Sequence, residues 1–143
     1  MKAIDTNILV YARREECEQH PKAKALLVEL SEDPRPWAIP WPCLYEFLRV
    51  VTHPKIFNPP SLMENVIEDL ESLLQSPSLV LLRETERHPN VLKNLLSKSK
   101  VTGNLVHDAH IAALLVEHGV RDLITADDDF RRFEEIKMIN PFR

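Results

Sequence analysis

The chain opens with Met1-Lys2-Ala3-Ile4-Asp5-Thr6-Asn7-Ile8-Leu9-Val10-Tyr11-Ala12, in which one acidic residue separates a short apolar run from a helical pattern. The apolar run, residues 1–5, is predicted to be a strand, and residues 7–14 are predicted to be a helix. A carboxylate at this junction serves either as a helix cap or as part of a site at the edge of a sheet. Asp5 is therefore the first candidate functional residue.

The rest of the chain alternates predicted strands with predicted helices. The further strands are expected at residues 37–39, 79–82, 122–125 and 136–139. Helices are expected at residues 22–30, 42–52, 61–75, 91–96, 105–117 and 128–133. This alternation predicts an α/β fold with three layers, in which helices cover both faces of a central, mainly parallel, short-stranded sheet.

Local patterns add detail to three of these elements. The run Leu79-Val80-Leu81-Leu82 is entirely apolar, which is typical of a buried parallel strand. Ser61 and Glu64 match a capping box, so the helix that follows is predicted to begin at Ser61. The segment 105–117 is nearly all apolar and ends before Gly119, which predicts a buried central helix terminated by a C-cap glycine.

Composition limits the broad class of protein. The chain has 143 residues with 44% hydrophobic residues, enough for one domain over residues 1–143. The two cysteines match no zinc spacing, which favours reduced thiols in a cytoplasmic protein. Asp5 interrupts the only stretch that could be an export signal, and no apolar run is long enough to span a membrane. The net charge of −4 argues against broad adhesion to nucleic acid, and two glycines exclude the common phosphate-binding loops.

Four acids from distant segments, Asp5, Glu46, Asp108 and Asp127, are expected to meet at one edge of the sheet. Each lies just past a predicted strand or near the start of a predicted helix, and in parallel sheets these positions converge. Clustered carboxylates repel one another and need a cation to remain ionised. Ligands that are all oxygen suit Mg²⁺, with Mn²⁺ as the alternative, and two such ions support hydrolysis of phosphodiester bonds.

Each of these acids also has a structural interpretation. Asp5 and Asp127 fit helix N-caps as well as they fit metal ligands. Glu46 fits an ordinary surface pair with Arg49, three residues later. Asp108 differs because it interrupts a buried helix, where an unpaired carboxylate is costly, so function is the better explanation there. His107 and His110 flank it and are interpreted as hydrogen-bonded, partly buried histidines.

The residues resemble the PIN-domain ribonucleases of the VapC-like toxin family across essentially the whole chain. Four stretches carry the resemblance: Ile4-Asp5-Thr6-Asn7-Ile8-Leu9, Trp41-Pro42-Cys43-Leu44-Tyr45-Glu46-Phe47-Leu48-Arg49, Gly103 to Leu114 around His107-Asp108-Ala109-His110, and Thr125-Ala126-Asp127-Asp128-Asp129-Phe130. Each stretch alone is a weak pattern. Together, in the family's order and spacing, they form a specific match.

The resemblance implies a Mg²⁺-dependent endoribonuclease that is the toxin of a toxin–antitoxin pair. Its partners would be an RNA substrate, a small antitoxin and a second copy of the chain in a homodimer. Asp5, Glu46, Asp108 and Asp127 match the family's acidic quartet, with Asp5, Asp108 and Asp127 as metal ligands. Thr125, Asn7 and Asp129 are predicted to support the site, and Asp128 or Asp129 remains an alternative to Asp127.

The basic residues are scattered along the chain, and most are interpreted as solvated surface charges. Lys93, Lys98 and Lys100 precede the helix of Asp108 and are predicted to contact the RNA backbone. The aromatic residues suggest no ladder for base stacking.

Three other functions account for parts of the sequence. A histidine–aspartate phosphohydrolase would be all-helical and leave Asp5 unexplained. A receiver-like signalling domain needs an acidic pair after the first strand and an Asp after the third, which this chain lacks. A PIN-like scaffold without catalysis, acting as a protein-binding module, is the remaining alternative.

Overall fold

A computed structural model describes all 143 residues of the chain. Its centre is a sheet of five parallel strands in the order β3-β2-β1-β4-β5. The strands are β1 (Lys2–Ile4), β2 (Trp37–Pro40), β3 (Leu79–Leu82), β4 (Asp122–Ile124) and β5 (Lys137–Ile139). The predicted α/β class with a short-stranded parallel sheet is confirmed.

Six α-helices connect the strands. They are α1 (Thr6–Arg13), α2 (His20–Glu32), α3 (Trp41–Val51), α4 (Met63–Leu74), α5 (His88–Lys98) and α6 (Leu105–Glu117), and a 3₁₀ helix (Asp128–Arg132) links β4 to β5. Helix α1 packs against α2 and α3, whereas α5 packs against α6. These two groups of helices enclose the sheet as the outer layers of an α/β/α fold.

The order of the strands fixes where a site can form. The chain adds β2 and β3 on one side of β1 and then returns to place β4 and β5 on the other side. The carboxyl ends of β1 and β4 are therefore neighbours at the point where the winding reverses, and Ile4 pairs with Ile124 there. In open parallel sheets this point leaves a crevice where functional groups collect.

The hydrophobic core is continuous and runs from the sheet into α6. Helix α6 is buried along most of its length, with Ile111, Leu114 and Leu115 among its fully covered side chains. This confirms the predicted central helix. Gly119 has a φ of +69°, and the Val120 amide donates to the Leu115 carbonyl at 2.9 Å, so the helix ends in the predicted glycine cap.

Two local predictions were wrong. Strand β3 lies at the edge of the sheet, where Leu82 is buried but Val80 is 38% exposed. The apolar run correctly predicts that a strand forms, but it does not predict that the strand lies at the edge of the sheet. Helix α4 begins at Met63 and not at Ser61, because the Ser61 hydroxyl instead accepts a hydrogen bond from Arg14 Nη1 at 2.9 Å.

None of the helices has the length and apolar character needed to cross a membrane.

Candidate metal centre

Asp5 follows β1 directly and accepts hydrogen bonds on both carboxylate oxygens. Its Oδ1 accepts from the Thr6 amide at 2.7 Å, which makes Asp5 the N-cap of α1. The Cys43 thiol lies 3.6 Å from the same oxygen. Oδ2 accepts from the Thr125 hydroxyl at 2.7 Å and from Asn7 Nδ2 at 3.2 Å. The cap interpretation is therefore confirmed, and it fixes the carboxylate at the crevice.

Thr125 and Asn7 join the ends of β1 and β4. The Thr125 hydroxyl, fully buried, donates to Asp5 and accepts from Asn7 Nδ2 at 3.0 Å and from the Asp127 amide at 3.0 Å. Asn7 Oδ1 accepts from the Ala126 amide at 3.2 Å. These bonds hold the segment after β4 in a fixed position relative to Asp5, which is the supporting arrangement expected for Thr125 and Asn7.

Three other acids converge beside Asp5. Asp108, from the first turn of α6, and Asp127 and Asp129, from the segment after β4, each place a carboxylate oxygen within 4.8 Å of the other two. Asp127 caps the 3₁₀ helix by accepting from the Asp129 amide at 2.9 Å. Asp5 lies outside this group of three but lines the same pocket as Asp108 and Asp127. Asp129 thus stands with Asp127 at the site.

The electrostatics of the site centre on Asp108, which is 9% exposed. Burial raises its pKa to about 7, and the negative charges of Asp127, Asp5 and Asp129 act in the same direction. Burial also raises the pKa of Asp5, although the hydrogen bonds from Thr125 and Thr6 oppose the shift. Carboxylates in this arrangement are held ionised together only when a cation compensates their charge.

Glu46 lies at the rim of this pocket on α3. Its Oε1 accepts from Arg49 Nη2 at 2.7 Å, so the predicted surface pair is present. The hydrogen bond from Arg49 lowers the pKa of Glu46. Glu46 nevertheless lines the acidic pocket, which has a volume of about 320 Å³, together with Asp5, Asn7, His107, Asp108 and Asp127. The Glu46 side chain therefore pairs with Arg49, as the structural interpretation predicted, and also lines the acidic pocket.

A larger cleft of about 540 Å³ adjoins the acidic pocket, and Glu46 and His107 line both. Trp41 and Tyr45 form one wall, with ring centroids 6.0 Å apart, and Tyr45 is 67% exposed. Arg49 and Arg83 also line the cleft. The sequence analysis missed this aromatic pair, although its spacing of four residues on a helix was a usable signal.

The lysines predicted to contact RNA are exposed, but their settings differ. Lys98 forms ion pairs with Glu134 and with Glu135, the latter at 3.0 Å between Nζ and Oε1. Its charge is therefore compensated within the protein. Lys93 lies on the surface in the middle of α5, and Lys100 lies on the surface two residues after the end of that helix. Their contact with RNA stays a prediction.

The donors around the acidic pocket fit a hard divalent cation. Asp108, Asp127 and Asp129 offer only oxygen, at a spacing that a single ion or a pair of ions can span. The one sulfur nearby, Cys43 Sγ, is directed at Asp5, and burial holds its pKa well above the usual thiol value. A neutral thiol is a hydrogen-bond donor here and not a metal ligand. The set of donors matches Mg²⁺ or Mn²⁺.

Comparison with known proteins places this geometry in a family. The family model described as PIN domain matches residues 2–136. The chain belongs to the PIN-domain family. Among curated relatives, this PIN domain is 37% identical to Ribonuclease VapC37 of Mycobacterium tuberculosis over 142 residues, covering 99% of this chain and 97% of that protein. It is 34% identical to Ribonuclease VapC43 of the same species over 141 residues, covering 99% and 95%.

Solved structures agree with this PIN fold. The chain superposes on VapBC2 from Rickettsia felis, bound to a DNA fragment from its promoter, with a TM-score of 0.70 at 20% identity and 97% coverage of each chain. A toxin–antitoxin complex from Klebsiella pneumoniae gives a TM-score of 0.62 at 18% identity, covering 99% and 98%. At these identities the likeness concerns the fold alone.

Proposed function

We propose that this PIN domain is a Mg²⁺-dependent endoribonuclease that acts as the toxin of a toxin–antitoxin module. The observation that carries the proposal is the buried Asp108, whose pKa is raised to about 7 beside Asp5, Asp127 and Asp129. A buried carboxylate crowded by three others is costly to the fold unless it serves a cation. Relatives that span nearly the whole chain carry the name ribonuclease, which supports RNA as the substrate.

The metal ligands in this proposal are Asp5, Asp108 and Asp127, with Asp129 adding a further oxygen. When bound, Mg²⁺ supplies an activated water and stabilises the leaving oxygen of the cleaved phosphodiester. Asp5 is already fixed by Thr6, Thr125 and Asn7, so its carboxylate is preorganised. Glu46, held by Arg49 at the pocket rim, orients the attacking water.

RNA reaches the acids along the adjoining cleft. The flat faces of Trp41 and Tyr45 offer a stacking surface for unpaired bases, and Arg49 and Arg83 offer positive charge to the phosphates. Because the cleft shares Glu46 and His107 with the acidic pocket, a strand lying in it passes the carboxylates. Lys93 and Lys100 are proposed as further contacts for the RNA backbone, whereas Lys98 is already paired with glutamates.

The proposed partner is a small antitoxin, and the proposed assembly is a homodimer. A solved protein of the same fold is described as part of a toxin–antitoxin complex, which supports such a partner for this chain.

Cleavage of total RNA with and without Mg²⁺ tests the function. The wild type is expected to cut RNA only when Mg²⁺ is present, and Asp5→Asn and Asp108→Asn are expected to lose cleavage. Asp128→Asn is the matched control, because Asp128 lies in the same acidic run but its carboxylate pairs with Arg143 Nη2 at 2.9 Å. Equal residual cleavage by the wild type and all three variants would support the non-catalytic scaffold instead.

A further inference from the structure

A second cluster of potential metal ligands lies on the other side of α6. Glu84, in the link between β3 and α5, His88, the first residue of α5, and His110 of α6 place one ligand atom each within 4.8 Å of the others. Asp108 and His110 are two residues apart, which corresponds to about 200° around a helix. The two clusters therefore occupy opposite sides of α6 and share no residue.

The orientation of His88 is fixed by a buried acid. His88 Nδ1 lies 2.6 Å from Glu117 Oε2, and the Glu117 side chain is 0% exposed. The other oxygen of Glu117 accepts from the Thr85 amide at 2.9 Å and from the Thr85 hydroxyl at 2.7 Å. This bond to Nδ1 leaves Nε2 of His88 as the ring nitrogen free to bind a ligand. A carboxylate behind a histidine in this way is the usual outer support of a histidine–metal bond.

The other two groups already share a proton at close range. His110 Nε2 and Glu84 Oε1 are 2.7 Å apart, and the His88 and His110 rings meet edge to face with centroids 5.4 Å apart. Ligands around a tetrahedral zinc ion lie about 3.3–3.6 Å from one another, given bonds of about 2.0–2.2 Å. A small rotation of the exposed Glu84 side chain opens the pair to that spacing.

The set of donors selects a different metal from the acidic pocket. Two imidazole nitrogens and one carboxylate oxygen are the ligands of three-residue zinc sites, in which water takes the fourth position. Glu84 and His110 also line the cleft of about 540 Å³, so the fourth position opens to solvent. The cluster of Asp108, Asp127 and Asp129, in contrast, offers oxygen alone.

We propose that Glu84, His88 and His110 form a binding site for one Zn²⁺ ion, supported by Glu117. The ion displaces the proton between His110 and Glu84, which is released to solvent, and joins the β3–α5 link to α6. None of its residues belongs to the acidic pocket, although Glu84 and His110 line the cleft proposed for RNA. It adds a cross-link between segments that are otherwise connected by the Thr85–Glu117 and His88–Glu117 hydrogen bonds.

Calorimetric titration of Zn²⁺ into an Asp108→Asn/Asp127→Asn double variant, with Mg²⁺ in excess, isolates this site. One Zn²⁺ per chain is expected to bind and to raise Tm, because a ligand that binds only the folded state stabilises it. Adding His88→Ala or His110→Ala is expected to weaken binding more than tenfold. His118→Ala is the matched control, since His118 follows the same helix but bonds to the Arg83 carbonyl.

Two further measurements keep the test decisive. Glu84→Gln changes an exposed side chain and leaves the fold intact, so it is expected to weaken Zn²⁺ binding even if the histidine variants unfold. Co²⁺ in place of Zn²⁺ is expected to give the visible absorption of a four-coordinate site, and His88→Ala is expected to abolish it. The proposal is overturned if the double variant binds no Zn²⁺, or if Glu84→Gln and His118→Ala bind it equally.

Discussion

Helix α6 carries two buried carboxylates whose surroundings are opposite. Glu117, near its C-terminal end, accepts hydrogen bonds from Thr85 and His88, and although burial acts to raise its pKa, these bonds lower it. Asp108, nine residues earlier, faces Asp5, Asp127 and Asp129, and burial and repulsion raise its pKa to about 7. One acid is satisfied by the protein. The other, Asp108, faces only charges of its own sign among these acids.

The difference separates structural acids from functional ones. Burial alone marks both residues, because each lies on an otherwise apolar helix. The two residues differ in their neighbours. Hydrogen-bond donors surround Glu117, whereas negatively charged carboxylates surround Asp108. A buried acid surrounded by donors stabilises its own fold, whereas a buried acid surrounded by acids destabilises the metal-free protein, and in the proposed function it is this acid that binds the cation.

The largest effect is expected from Asp108→Asn on RNA cleavage. Loss of even an outer partner of a metal ligand costs 10–100-fold, so loss of a ligand is expected to lower the cleavage rate by more than about 100-fold. The rate is measured on a defined RNA at saturating Mg²⁺. Glu117→Gln, on the same helix, is expected to keep the wild-type rate below its unfolding temperature. Similar losses in both variants would remove the distinction between the two acids.

Glu117→Gln is expected to reduce the stability of the fold. The amide cannot replace the carboxylate as acceptor for both His88 and Thr85, and a buried polar group left without its hydrogen-bond partner costs about 1–3 kcal/mol. Urea unfolding of the metal-free protein measures this free energy. A Glu117→Gln variant as stable as the wild type would show that the Glu117 network does not stabilise α6.

A smaller effect is expected from Thr125→Val, which removes the hydroxyl between Asp5, Asn7 and Asp127. The change preserves side-chain volume but leaves Asp5 less well oriented. Mn²⁺ affinity is expected to fall 10–100-fold, as it does when the partner of a metal ligand is lost. Thr6→Val is the matched control, because only the Thr6 backbone amide bonds to Asp5. Equal affinities in the two variants would count against the role of Thr125.

The smallest effect is a pH dependence of stability. The folded-state pKa of Asp108 is about 7 and its ordinary value is 3.8, so the folded protein binds the extra proton between these values. The contribution of Asp108 to the stability of the metal-free protein therefore falls as pH rises from about 4 to 7. Asp108→Asn lacks this loss. Its Tm is therefore expected to equal that of the wild type near pH 4 and to exceed it by about 3 °C at pH 8, after allowance for solvent screening.

For Asp128→Asn, the change of Tm with pH relative to the wild type is expected to have the opposite sign. Calorimetric scans measure this change for both variants. The hydrogen bond from Arg143 lowers the pKa of Asp128, so the wild-type pair stabilises the fold above the ordinary pKa and loses its effect in acid. The Tm of Asp128→Asn relative to the wild type is expected to fall slightly as pH rises. A Tm difference for Asp108→Asn that does not change with pH would contradict the raised pKa.

The sequence predicted that the acids meet at one edge of the sheet, because the alternation of strands and helices and the place of each acid at the boundary of an element are local signals. Asp5 ends β1, Asp108 opens α6 and Asp127 follows β4, and parallel strands bring such positions to one edge. The bounds of α6 and its glycine cap were also predictable from apolar periodicity and Gly119. Each of these signals lies within a dozen or so neighbouring residues.

The remaining features depend on contacts between distant segments. The Cys43 thiol beside Asp5, the Glu117 contact with His88, and the Arg14 contact with Ser61 join residues 38, 29 and 47 positions apart. No periodicity marks such pairs. The edge position of β3 was missed for the same reason, since a run of four apolar residues does not reveal which strand lies beside it.

The most direct test is the binding of Mn²⁺ at pH 8, measured by calorimetry on the wild type, Asp108→Asn and Glu117→Gln. It asks whether Asp108, the buried acid that faces other acids, is the one that binds the cation. Mn²⁺ prefers oxygen ligands and therefore reports on the acidic pocket. The wild type and Glu117→Gln are expected to bind with equal affinity, and Asp108→Asn is expected to bind more than tenfold more weakly. Equal affinity in the wild type and Asp108→Asn would contradict the assignment of Asp108 as a metal ligand.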